Sequence, residues 1–213
     1  DNIRLFQTVV SKEVQGKEDD MLHAVTSLVS NPLLTQATAT ADAKTLRALL
    51  KTQLDIFGAG TAFVTDTKGV IIARGHSDKV GDSAADRFCV GEALKGKAGA
   101  SIEKGKIVKF AILAAHPIKQ GDTVIGVLAM GVDLASEAQV DSMKALTGLE
   151  VTLFENDTRI ATTVMKEGKR ATGTKMDNPK VLETVLKKGE LFLSQNNILG
   201  KSYETAYWPI KVG

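Results

Sequence analysis

One cysteine, Cys89, is the only thiol in 213 residues, so neither an internal disulfide nor a cysteine-cluster metal site can form. Charge of one sign is also scarce. With 27 basic and 25 acidic side chains the formal net charge is +2, which gives no strong electrostatic footprint for nucleic acid or an anionic membrane. No apolar run reaches the ~18 residues that a membrane span needs. The three histidines, His23, His76 and His116, are far apart and lack metal-ligand spacing. A Cys-X-X-Cys-His run for covalent haem is missing, as are a Gly-X-Gly-X-X-Gly, a Walker-type loop and a nucleophile elbow. These absences predict no cofactor, no metal and no enzyme. The chain begins at Asp1 with neither a start methionine nor a signal peptide, and reads as a piece excised from something longer.

What is present is an ordinary globular composition, 43% hydrophobic and 24% charged, arranged as an internal repeat. At an offset of 92 residues, Leu94-Lys95 falls under Leu186-Lys187, and His116-Pro117-Ile118-Lys119-Gln120-Gly121 under Trp208-Pro209-Ile210-Lys211-Val212-Gly213. Gly81 falls on Gly173 at the same offset. The chain is therefore two copies of one supersecondary unit, each expected to form a small domain.

Residues 2 to about 30 read as one long helix, because Ile3, Phe6, Val10, Val14, Met21, Val25 and Leu28 recur at three- and four-residue steps. Asn31-Pro32 ends it. A second helix covers about 42–57, capped by Asp42, striped by Leu46, Leu49, Leu50 and Leu54, and stopped by Gly58. The period then shortens to that of strands. Thr61–Thr65 and Val70–His76 flank the turn Asp66-Thr67-Lys68-Gly69. A glycine loop leads to a helix Ala84–Leu94, followed by strands near 99–103, 106–118 and 123–132. Asp133 would cap a connecting helix over 134–147. The second copy supplies strands near 150–155, 158–164, 190–196 and 200–210, with a helix over 178–187. By the repeat, a fifth strand of this copy is expected beyond Gly213. The fold expected is α+β: tandem PAS-like modules, each an antiparallel sheet of about five strands flanked by helices. The divisions are 1–58 for the amino-terminal helices, 59–133 for the first module, and 134–213 for the linker helix and second module.

This arrangement resembles the extracytoplasmic double Cache sensor region of bacterial methyl-accepting chemotaxis receptors. The resemblance is carried by the long first helix, the Val64-Thr65-Asp66-Thr67-Lys68-Gly69-Val70-Ile71 hairpin, and Ala73-Arg74-Gly75-His76 running into Gly81-Asp82. The His116-Pro117-Ile118 strand end, Ile125-Gly126-Val127-Leu128 and Val132-Asp133-Leu134 complete it. It implies a membrane-distal first module holding a small ligand and a membrane-proximal second module leading to a transmembrane helix. It also implies a periplasmic or extracellular location within a membrane-anchored receptor. The helix over 2–30 is the expected seam of a homodimer.

Arg74 and His76 lie two apart at a strand end, so their side chains leave one face close to the following helix. Arginine offers a two-pronged donor to a carboxylate, which suggests a site for a short carboxylate or other small anion. The alternative is an Arg74 paired with Asp82 or Asp86 and a solvent-facing His76. Related citrate and dicarboxylate sensor kinases place an arginine and a histidine at this strand with a different spacing, and carry basic residues about where this chain has Glu103-Lys104. That departure argues against a tricarboxylate. Lys109, on a strand face continued by Ala111, Leu113 and Ala115, is a further ligand candidate, or else a margin lysine with its stem on apolar surface. Phe88 could wall a small ligand, with an ordinary core role as the alternative. Cys89 reads as a packing residue. The second copy has Ile160-Ala161-Thr162-Thr163-Val164 where the first has Arg74 and His76, which predicts a smaller or more apolar pocket there. Two other functions remain open: the sensor of a histidine kinase or diguanylate cyclase, and a ligand-free dimerisation module.

Overall fold

The computed structural model describes residues 2–105 and 108–213. The chain divides into two compact units. The first-repeat unit is Gly16–Asp133 with Val212–Gly213, and the second-repeat unit is Asp1–Gln15 with Leu134–Lys211.

Helix α1, Asn2–Leu28, is one continuous helix contributing residues to both units. Asn31-Pro32 ends it and also opens a helix that the sequence reading did not foresee, α2, Pro32–Ala39. The Asn31 side chain accepts the Leu33 N–H and Pro32 takes the first helical position, where its missing N–H costs nothing. Helix α3, Ala43–Phe57, carries the expected caps. Asp42 accepts the Thr45 N–H at 3.1 Å, and Gly58 turns left-handed at φ 60°.

In the first-repeat unit, β1 (Thr61–Thr65), β2 (Ile71–Arg74), β3 (Gly99–Lys104), β4 (Phe110–Gln120) and β5 (Thr123–Asp133) form one antiparallel sheet. Its order is β2-β1-β5-β4-β3, which leaves β2 and β3 at opposite edges. One face buries Phe63, Leu113, Ala115, Val127 and Ala129 against Cys89, Val90 and Ala93 of helix α4, Phe88–Leu94. The alternating residues Ala62, Val64, Ile112, Ala114, Leu128 and Met130 are buried on the other face, where α2 and α3 pack on the strands. Gly126 brings β5 against β1: a Cβ there would lie 2.3 Å from the Thr65 carbonyl oxygen.

The second-repeat unit contains α5 (Glu137–Thr147) and the hairpin β6 (Thr152–Glu155) with β7 (Thr158–Thr162). A short charged hairpin follows, β8 (Met165–Lys166) with β9 (Lys169–Arg170). Helix α6 (Pro179–Val181) runs directly into a π-helical stretch, Leu182–Lys187. The hairpin β10 (Phe192–Ile198) with β11 (Lys201–Tyr207) comes last. Ser136 caps α5 by accepting the Gln139 N–H, so the cap is three residues later than the expected Asp133. The four expected strands are present, but as two separate pairs. Met176, Val181 and Val185 form the small core with Phe154, Phe192 and Tyr207.

Part of the repeat is visible as geometry. Both first hairpins carry an irregularity at the matching place, between Val64 and Thr65 and between Leu153 and Phe154. Ile71 exchanges backbone bonds with Gly81 and Asp82, and Arg159 does so with Gly173 and Thr174. Gly81 and Gly173 adopt φ 89° and 82°, left-handed values that favour glycine. The offset is 88 residues at these strands and 92 after the loop. The added residues lie in the loop that carries β8 and β9.

Candidate functional site

Arg74 is the last residue of β2 and pairs with Phe63, which places it on the α4 face of the sheet. Its Nη1 donates to Asp82 Oδ1 and its Nη2 to Asp82 Oδ2, both at 2.8 Å, and Nη1 also donates to the Lys79 carbonyl. Asp82 is delivered there by the left-handed Gly81 and by the backbone bonds to Ile71. The hydrogen bonds from Arg74 are the main reason that the Asp82 carboxyl titrates at about 2. The arginine side chain is 12% exposed and the aspartate 38%, so the carboxylate side of the pair meets water.

His76 follows the strand and is exposed. Its ring lies 3.3 Å from the Thr61 hydroxyl, and Nδ1 accepts the Ala62 N–H at 3.3 Å. Desolvation, then the charge of Arg74, lowers its pKa below the ordinary histidine value.

Lys109 and Phe88 are not brought to this corner. The strand expected over 106–118 begins at Phe110; residues 106–107 lie outside the described residues, and Lys109 sits in the bend before β4. Its carbonyl accepts the Gly105 N–H and its side chain is exposed. β4 is three strands from β2, roughly 14 Å at about 4.8 Å per strand, and the register that aligns Arg74 with Phe63, Ala129 and Ala115 leaves Lys109 six residues, about 20 Å, further along, too far for one small ligand. The helix expected from Ala84 starts at Phe88, since 84–87 form a turn closed by Arg87 N–H to Ala84 O. Phe88 is 54% exposed at the helix start and belongs to neither the core nor the Arg74 corner.

Two buried charged side chains were not among the expected site residues. Glu103 is 3% exposed on the α4 face, where its Oε1 accepts the Cys89 N–H at 2.8 Å and the Ser101 hydroxyl at 3.3 Å. Arg87 Nη1 stands 3.9 Å from its other oxygen. Cys89 Sγ lies 3.1 Å from Ser101 Oγ and donates to the Leu113 carbonyl, and burial pushes its thiol up to about 12. The alternation Ser101, Glu103 in β3 was the available signal. The second is Arg159 in β7, 5% exposed. It donates to Thr174 Oγ1 and the Lys175 carbonyl, each at 3.0 Å, and lies 5.1 Å from the centre of the Phe154 ring. The strand run from Ile160 to Val164 had been read as free of cations. The strand itself begins at Thr158, the start expected for it, and Arg159 lies in it just before that run.

A cavity of about 180 Å³ lies in the second-repeat unit. Ile3, Phe6 and Val10 of α1 line one side, Thr152 and Phe154 of β6 another, and Tyr203–Tyr207 of β11 the third. Among the described residues no group of three His, Cys, Asp or Glu side chains could hold a metal ion, and no helix is long and apolar enough to cross a membrane.

Residues 133–213 match the family described as Single cache domain 3. No curated protein matches the chain. Solved structures do. The ligand-binding domain of the Campylobacter jejuni chemoreceptor Tlp3, in complex with 4-methylisoleucine, superposes with a TM-score of 0.60 at 16% identity, covering 94% of this chain and 80% of that one. The sensor domain of the Vibrio cholerae histidine kinase DctB gives 0.59 at 12% identity, covering 87% and 73%. The Escherichia coli DcuS sensor domain gives 0.53 at 19% identity, covering 62% and 96%. At these identities the likeness is one of fold: the chain is similar in fold to the ligand-binding domain of a chemoreceptor and the sensor domain of a histidine kinase, and its residues 133–213 match a Cache family model.

Proposed function

We infer that the chain is the extracytoplasmic sensor domain of a methyl-accepting chemoreceptor and binds a small carboxylate in its first-repeat unit. The observation that carries this reading is the Arg74–Asp82 pair. A guanidinium on the helix-facing side of a sheet edge already holds a carboxylate with two parallel N–H···O bonds, and that carboxylate is partly exposed. A ligand carboxylate reproduces those bonds by replacing Asp82, so the Arg74 guanidinium keeps a partner while the partly exposed aspartate moves into water. Desolvation, then the charge of Arg74, works against a charged His76, which leaves Arg74 as the main cation of this corner and suits a short carboxylate or an amino acid better than a tricarboxylate. A chemoreceptor of this fold has been solved with isoleucine and with L-valine, so amino acids belong among the candidates.

On this reading, release of Asp82 frees the loop following Gly81, and the loop's two positions are the states that the ligand biases. A thermal-shift screen against short carboxylates and amino acids tests it. At least one ligand should raise the melting temperature of the wild-type chain and have no effect on Arg74→Ala. A ligand that stabilises both proteins equally would place the site elsewhere.

A further inference from the structure

The last bond of the ladder between β1 and β2 is made by a side chain. Continuing the register Val64–Ala73 and Phe63–Arg74 puts Ala62 opposite Gly75. In an antiparallel ladder every second facing pair exchanges two backbone bonds. Here the Gly75 N–H donates to the Ala62 carbonyl at 2.9 Å, but the Ala62 N–H donates to His76 Nδ1 instead of the Gly75 carbonyl. The imidazole thus stands in for a peptide carbonyl at the end of β2, two residues beyond Arg74. Ala62 is fully buried, so water is a poor substitute if that acceptor is lost.

Only one form of the ring fills this role. Nδ1 accepts a hydrogen bond when the neutral imidazole carries its proton on Nε2, whereas a charged ring donates at both nitrogens. Protonation therefore sets one N–H against another and expels the ring. The Thr61 hydroxyl, 3.3 Å from Nδ1 and 3.4 Å from Nε2, accepts from a charged ring but leaves Ala62 unpaired. The charges nearby also oppose an imidazolium. β1 and α3 pack on β2, and β1 brings only Thr61 and Ala62 to the ring. On α3, Arg47 is paired with Asp78, while Lys44, Lys51 and Asp55 are exposed. In the loop, Lys79 lies 3.9 Å from Asp82, and Asp82 is committed to Arg74. After desolvation, Arg74 is the charge that acts on His76.

We propose that His76 is an acid-released latch and a positioning residue for Arg74. Neutral, it completes the ladder and fixes the end of β2 against β1. Protonated, it lets go, and the strand end frays as far as Arg74. The latch is closed above the ordinary histidine value of 6.5 and opens as pH falls below it. Asp82 stays ionised over that range, because its own titration lies at about 2, so opening leaves the Arg74–Asp82 fork joined. None of this needs the ligand reading, since the latch and its test belong to the chain without ligand.

NMR of the full chain between about pH 8 and 5 provides the test. The His76 ring signal, identified by its absence from His76→Asn, should titrate with a midpoint below 6.5. The Ala62 amide proton should move upfield with the same midpoint as it loses its acceptor, and the Gly75 and Arg74 amides should follow. Asparagine places an acceptor oxygen near the position of Nδ1 that does not titrate, so in His76→Asn the Ala62 amide should hold its position across the range. His76→Ala should show at the alkaline end the Ala62 shift that the wild type reaches only at the acid end. If that variant does not fold, the wild type and His76→Asn still decide. The proposal is overturned by a ring midpoint at or above 6.5, by Ala62 and Arg74 amides that stay fixed while the ring titrates, or by the wild-type pH dependence persisting in His76→Asn.

Discussion

Arg74 and Asp82 meet fork to fork, with two N–H···O bonds of 2.8 Å across eight residues of sequence. The pair closes the loop after β2 over the sheet edge, and in the proposed function its carboxylate stands where a ligand carboxylate would bind. Asp82→Asn should therefore raise ligand affinity several-fold, because the competing charge is gone while Arg74 remains. Arg74→Ala should cost the ligand-free protein only about 1 kcal/mol while removing the ligand response. Calorimetric titration of both variants checks the two expectations together.

The same pair sets an acid limb. Asp82 has its folded-state pKa depressed to about 2 from an ordinary value of 3.8, so its stabilising contribution is present above pH ~4 and is lost as pH falls toward 2. Because the aspartate is more than one-third exposed, solvent screening limits this contribution to about 1 kcal/mol or less. Melting curves between pH 5 and 2 should show the wild type losing more stability than Asp82→Asn across that interval. Parallel curves would mean that the pair contributes nothing to folding.

Glu103 holds the first turn of α4 to β3. Glu103→Ala leaves the buried Cys89 N–H without its acceptor, and should cost about 1–3 kcal/mol in urea denaturation. Cys89 reports on the same turn. With its thiol at about 12 and the side chain buried, it should resist iodoacetamide at pH 8 in the native protein and react faster in the variant.

Gly126 is required where β5 passes β1. An added methyl would meet the Thr65 carbonyl at 2.3 Å and Thr38 Cγ2 at 2.9 Å, so Gly126→Ala should destabilise the chain by about 1–3 kcal/mol. Gly99→Ala, in the edge strand β3 with open space around it, is the control and should be near neutral. Equal effects would contradict the contact, since the lower unfolded-state entropy of alanine favours folding at both positions.

Local chemistry made much of the fold legible. Asp42 and Gly58 bound α3 as their types require, and β1 runs over the expected Thr61–Thr65 because the Asp66–Gly69 turn punctuates it. The start of α4 was misplaced because Ala84–Arg87 has helical composition, yet the Ser83 hydroxyl takes the Ala85 N–H and holds the segment in a turn. Two-residue strands made mostly of charged side chains, as in β8 and β9, carry no periodic signal at all. The Arg74–Asp82 contact was foreseeable as one of two alternatives, since eight residues and a glycine loop separate the partners. The separation of Arg74 from Lys109 was not, because sheet order and register, which put β2 and β4 three strands apart, are set by non-local pairing. Arg159 went unnoticed because the run set against Arg74 and His76 began at Ile160, one residue past the buried cation, although the strand was expected from 158.

The most direct measurement is a crystal structure of the chain with the ligand that gives the strongest thermal shift. The account predicts the ligand's carboxylate on Arg74 Nη1 and Nη2, with Asp82 displaced and the loop after Gly81 moved. A ligand bound elsewhere, with Arg74 and Asp82 still joined at their present distances, would contradict it.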